Sequence, residues 1–190
     1  MSKKTPAGLF PTFETEALDG TAYTIPADFR NPLNLVLLWF TESRPEIVDH
    51  WVMLVDRIDD GADHELSVYE LPVVGKGFGI LGGLFNAGMR VQNDDPEVQA
   101  RTLPLYVDKG GLARQLGIKK KSELHAFLVA PDGRIAWRGA GEIDLAEVAG
   151  IEKLVGATLS DRPAGAGPPQ PAAHDEDEAT DGDEADDTLA

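Results

Sequence analysis

The sequence predicts an α/β fold in which a central mixed sheet carries helices on both faces, with an N-terminal hairpin before it and a glycine-rich insertion within it. Three observations carry that expectation. Residues 33–40 form an apolar run without alternation, the pattern of a strand covered on both faces. Ser43 and Glu46 make a capping box ahead of Ile47, Trp51, Leu54, Val55 and Ile58, which share one face of a 3.6-residue repeat. Pro131-Asp132-Gly133 separates two further strand-like segments, as a hairpin turn does.

In chain order, residues 10–29 read as a hairpin, with Phe13 and Leu18 before an Asp19-Gly20 turn and Tyr23 and Ile25 after it. Asn31-Pro32 breaks the chain before the 33–40 run, which is expected at the centre of a parallel region. The capped helix is expected to start at Arg44 and stop at Gly61. Residues 65–71 and 102–107 read as the next two strands, and a short helical turn through Leu112 and Leu116 ends at Gly117. Residues 123–130 and 134–138 are the arms of the terminal hairpin. Asp144 then caps a last helix with Glu147 at its third position, and Ile143 and Val148 suit a hydrophobic staple.

One domain is expected at 9–160, between a flexible N-terminus at 1–8 and a Pro/Gly-rich, acidic tail at 161–190. The tail holds ten Asp and Glu residues and one Arg, so it carries −9 of the total −16 and leaves −7 on residues 1–160. It cannot bury apolar area and is expected to be disordered. A body of that charge lacks the basic stripe that phosphate neutralisation requires, so nucleic acid is not an expected partner and anionic membrane surfaces are disfavoured. No apolar run approaches membrane-spanning length, and the first residues show neither a secretory h-region nor an Arg-rich amphipathic stretch; the cytoplasm is the expected location. The sequence contains no cysteine, which excludes disulfides and thiolate metal sites; no cofactor or metal is expected.

The order strand, capped helix, strand, strand, short helix, hairpin, helix resembles that of the thioredoxin-like redoxins. Leu105-Tyr106-Val107-Asp108 through Gly117-Ile118 resembles the peroxiredoxin passage from strand to short helix, and Phe127 through Ile135 resembles the redoxin terminal hairpin. The likeness covers about residues 9–156. In those families the reactive cysteine sits at the first turn of the helix after the central strand, where free N–H groups and the helix dipole stabilise a thiolate. Here Arg44 stands in that place, Ile47 in that of the second sulfur, and Ser122, Glu123, Leu124 and His125 where a cis-proline faces the redox site. A narrower resemblance is to the thioredoxin-like assembly-factor family of mitochondrial ATP synthase and its bacterial relatives. It rests on Val68-Tyr69-Glu70-Leu71-Pro72-Val73, Ala87-Gly88-Met89-Arg90, Thr102-Leu103-Pro104-Leu105-Tyr106 and Ile135-Ala136-Trp137-Arg138-Gly139. That resemblance implies a non-enzymatic role in maturing a membrane ATP synthase sector.

The insertion contains Gly77-Phe78-Gly79-Ile80-Leu81-Gly82, which fits a dinucleotide-binding glycine pattern. Gly83 and Gly88 weaken the helix that such a loop must open, Asp94 and Asp95 come too early for the ribose, and Gly75-Lys76 lacks the Ser or Thr of a phosphate loop. The insertion's large apolar residues have two other readings: a cover over the sheet edge or core, or an exposed patch for a protein partner or peripheral membrane contact. The second makes Phe78, Leu81, Leu84, Phe85, Met89 and Arg90 the candidate partner-binding residues. Glu46 and His50 are one helical turn apart with no second histidine beside them, which favours a solvated face over a metal site. His64, His125 and His174 are isolated. Ser43 is accounted for by its capping role. Arg44, a cation at a positive helix end, is either solvated or half of a Ser43/Arg44 anion site. The leading functional expectation is a non-redox binding or assembly module with a protein partner; the alternative is a redoxin-derived enzyme or small-anion binder using Arg44.

Overall fold

A seven-residue strand at the middle of the sheet organises the protein. The structure, a computed structural model, describes residues 8–41, 45–61, 66–76, 94–143 and 145–160. The elements are β1 (Phe13–Glu16), β2 (Ala22–Ile25), β3 (Leu33–Trp39), α1 (Pro45–Gly61), β4 (Leu66–Gly75), α2 (Pro96–Arg101), β5 (Leu105–Val107), α3 (Lys109–Gln115), β6 (His125–Val129), β7 (Ile135–Ala140) and α4 (Leu145–Ser160). The main sheet has the order β5-β4-β3-β6-β7, and β1 and β2 form a separate antiparallel pair.

β3 is interior and covered on both sides, as its composition requires. Leu33, Leu35 and Leu37 pack into the core layer that α1 and α4 close, through Ile47, Trp51, Leu54, Val55, Ile58, Ile151 and Val155. Val36 and Leu38 enter the opposite layer, built with the β1-β2 hairpin and α3 through Tyr23, Ile25, Leu112 and Leu116. The five α1 residues picked out by helical spacing are all buried. Asn34, the polar residue within β3, is buried but satisfied: its amide donates to the carbonyls of Asn31 and Val129, and its Oδ1 accepts from the Asn31 N–H.

Four expectations need correction. β3 is parallel to β4 but antiparallel to β6, so it does not lie within a wholly parallel region. The seven residues of α3 span only about 10 Å, and the chain re-enters the sheet at the pole where β5 left it, which makes β6 run back. β4 continues through Pro72 to Gly75 instead of ending at Leu71. Pro72 lies opposite Trp39, where the ladder to β3 ends, and Val73 then pairs with Leu105 of β5. The strand expected at 102–107 is reduced to Leu105–Val107, with Thr102 in an isolated bridge to Glu70 and Pro104 between them. α2 was not expected at all, although Asp95 caps it by accepting from the Glu97 N–H and Pro96 opens it.

The terminal hairpin forms as expected, with Gly133 at φ +84° in its turn, a conformation that favours glycine. Ile143 and Val148 both pack against the α1/α4 core layer. Trp51 ties α1 to the end of the hairpin by donating its indole N–H to the Gly141 carbonyl at 3.0 Å.

Candidate functional site

The C-terminal ends of β3, β4 and β5 and the start of β6 meet at one pole of the sheet, where the α/β topology places its ligand-facing loops. This pole presents Trp39, Phe40, Lys76, Asp108, Lys109 and His125. Asp108, Lys109 and His125 are engaged with the fold itself. Asp108 caps α3, each carboxylate oxygen accepting a backbone N–H at 3.0 Å, from Gly110 and Gly111. Those two bonds hold the Asp108 carboxyl below its ordinary value. The Lys109 ammonium donates to the Phe40 carbonyl at 2.7 Å, closing the backbone that follows β3.

His125 opens β6 opposite Leu38 and sits against the Phe40 ring in an edge contact. Its Nε2 is 2.8 Å from the Lys120 carbonyl. A carbonyl only accepts, so Nε2 carries the proton. Burial pushes the imidazole pKa down, and the bond to Lys120 opposes that shift without cancelling it. A base depressed in the folded state holds its stabilising contribution above the unfolded value of 6.5 and loses it as pH falls through the folded value. Thermal unfolding of the wild type should therefore weaken more between about pH 7 and pH 5 than that of His125→Gln, which cannot take up the proton. Parallel pH slopes would show that His125 is not the group responsible.

Away from the pole, Glu70 is buried and its Oε1 accepts from Arg101 Nε at 2.8 Å. Burial raises the Glu70 pKa and Arg101 works against it. This pair joins β4 to α2.

Ser43 and Arg44 lie outside the described residues, as do Phe78, Leu81, Leu84, Phe85, Met89 and Arg90, the glycine pattern at 77–82 and the tail at 161–190. Ile47, in the place of a second sulfur, is buried in the core layer beneath α1. Glu46 and His50 are exposed on α1. Among the described residues the cis peptide bond is Ile25–Pro26, in the hairpin, and Leu124 beside the pole is buried. His125 is isolated in the sequence and Lys109 belongs to no motif there; their roles depend on which backbone carbonyls the fold brings to them.

No protein-family model matches this sequence, and no curated protein matches it. Solved structures do resemble it. BsSco, a member of the Sco family of cytochrome c oxidase assembly proteins in which a disulfide switch was identified, is 14% identical with a TM-score of 0.55, over 85% of this chain and 100% of that one. Arabidopsis thaliana ScoI with copper bound is 12% identical with a TM-score of 0.53, over 82% and 100%. A thiol:disulfide interchange protein from Bacteroides sp. is 15% identical with a TM-score of 0.52, over 80% and 91%. The likeness is one of fold, and the fold is thioredoxin-like.

Proposed function

We propose that this chain is a thioredoxin-like binding or assembly module that performs no thiol redox chemistry. One observation carries the reading: in a fold whose neighbours include a thiol:disulfide interchange protein, the sequence has no cysteine, and Asp108, Lys109 and His125 at the corresponding pole cap a helix or close backbone. A nucleophile or general base must be able to reach substrate. Asp108, Lys109 and His125 each hold a backbone group of the fold instead.

An assembly role has two supports. BsSco belongs to a family of assembly proteins with this fold. The segments from Val68 to Val73 and from Ile135 to Gly139 resemble the ATP synthase assembly-factor family, so the partner we favour is a component of a membrane ATP synthase sector. The glycine-rich insertion, with Phe78, Leu84 and Phe85, is the working surface in this reading.

The purified protein should neither reduce insulin disulfides nor consume hydroperoxide above a protein-free blank, because no thiolate exists to attack. Turnover that survives repurification would overturn the module and favour the enzyme alternative.

A further inference from the structure

β7 ends the main sheet, and a short N-terminal segment pairs with its outer side only at the start. Leu9 bridges Arg134, the Phe10 N–H donates to the Gly133 carbonyl at 2.7 Å, and the Ile135 N–H donates to the Gly8 carbonyl at 3.3 Å. Among the described residues, no backbone bond continues that pairing past Ile135. The register settles where the remaining groups point. The Gly141 N–H donates to the Leu124 carbonyl, so that pair and every second pair back along the ladder, Gly139 with Ala126 and Trp137 with Leu128, carry the bonds to β6. The N–H and C=O groups of Arg138 and Ala140 therefore point away from the sheet.

An edge strand is ordinarily blunted by a bulge or an exposed charge. Here the register shift lies between Leu128 and Val129, before this stretch. The charged side chain of the strand, Arg138, folds back over the sheet, with its guanidinium carbon 5.4 Å from the centre of the Phe127 ring on β6. On the opposite face the Trp137 ring fills the place that a Cβ at Gly139 would take. Open main chain remains at the edge, flanked by Gly139 and the exposed Ala140.

We infer that this edge pairs with the same edge of a second copy of the chain, antiparallel about a two-fold axis at Gly139. In that register Arg138 stands opposite Ala140 of the second copy and Ala140 opposite its Arg138, and each pair exchanges both backbone bonds. Gly139 meets its counterpart where the strands come nearest, about 4.5 Å between Cα atoms, and neither glycine carries a side chain there. An axis at Arg138 instead would set like charges directly opposite each other. Gly139 and Ala140 give a foreign strand little side-chain surface to recognise, whereas the edge's own copy matches it bond for bond. Strand pairing alone falls short of the roughly 1,000 Å² of a stable interface, and each chain carries −16, so the association is weak and strengthens with salt. It does not rest on the reading of the insertion.

Amide hydrogen exchange on the full chain, resolved residue by residue by NMR, tests this. Raising the protein from about 20 µM to about 1 mM in about 0.5 M salt should slow exchange at Arg138 and Ala140 several-fold. Trp137 and Gly139, already bonded to β6, should exchange at unchanged rates. Sedimentation should show dimer rising over the same range, with several-fold less of it at low salt. Ala140→Pro removes an N–H that β6 does not use, so it should keep the wild-type thermal midpoint and lose the dimer. Protection of Arg138 and Ala140 in the most dilute sample, a dimer that leaves those amides unprotected, a dimer undiminished in folded Ala140→Pro, or a protein monomeric throughout would overturn the inference. If Ala140→Pro fails to fold, the wild-type exchange pattern decides alone.

Discussion

Trp51→Ala should destabilise the protein by about 3–5 kcal/mol, lowering the thermal midpoint by roughly 10 °C. Trp51 is fully buried at the centre of the layer between the sheet and its two long helices, against Trp137 with ring centres 5.8 Å apart. Truncation removes a fully buried indole from that layer and opens a cavity that Leu35, Leu37 and Leu54 cannot all move to fill. It also leaves the Gly141 carbonyl without the indole N–H. Urea unfolding reads the change directly. A loss below about 1 kcal/mol would mean that the layer is not close-packed around this residue.

Arg101→Met should cost about 2–3 kcal/mol at neutral pH, for a reason other than packing. Glu70 is 7% exposed; burial raises its pKa and Arg101 opposes that shift. Without that partner, the burial of the carboxyl between β4 and α2 is uncompensated. The sign with pH follows from linkage. A carboxyl raised in the folded state favours folding below its unfolded value of 4.5, and that advantage is lost as pH rises through the folded value. The variant raises the folded value further, so its deficit should shrink as pH falls toward 4.5 and should largely disappear in Glu70→Gln/Arg101→Met. A deficit independent of pH would assign the effect to lost contacts of the arginine side chain instead.

The scaffold was legible where its signal is local. The unalternating run before Phe40 marks a strand buried on both faces, and the 3.6-residue spacing from Ile47 to Ile58 marks the core face of α1. The direction of β6 was not legible, because it depends on which pole the chain reaches after α3. The strand expected at 65–71 runs on past Pro72, where β4 changes neighbour. The cap and proline of α2 stand in the sequence at Asp95-Pro96, but a six-residue helix with no buried residue has no apolar stripe to mark it. At the pole, Lys109 and His125 acquire their roles from carbonyls 69 and five residues away, which no residue pattern announces.

The central claim is that this thioredoxin-like chain works by binding a protein partner through its insertion. The most direct measurement is quantitative mass spectrometry of what co-purifies with the tagged full chain from its native cells, compared with Phe85→Glu. A solvated apolar patch leaves no cavity when altered, so the variant should keep the wild-type thermal midpoint and lose a partner that the wild type retains in near-equal molar amount. Retention of that partner by a folded Phe85→Glu protein, or unfolding of the variant because residue 85 is core, would contradict the claim.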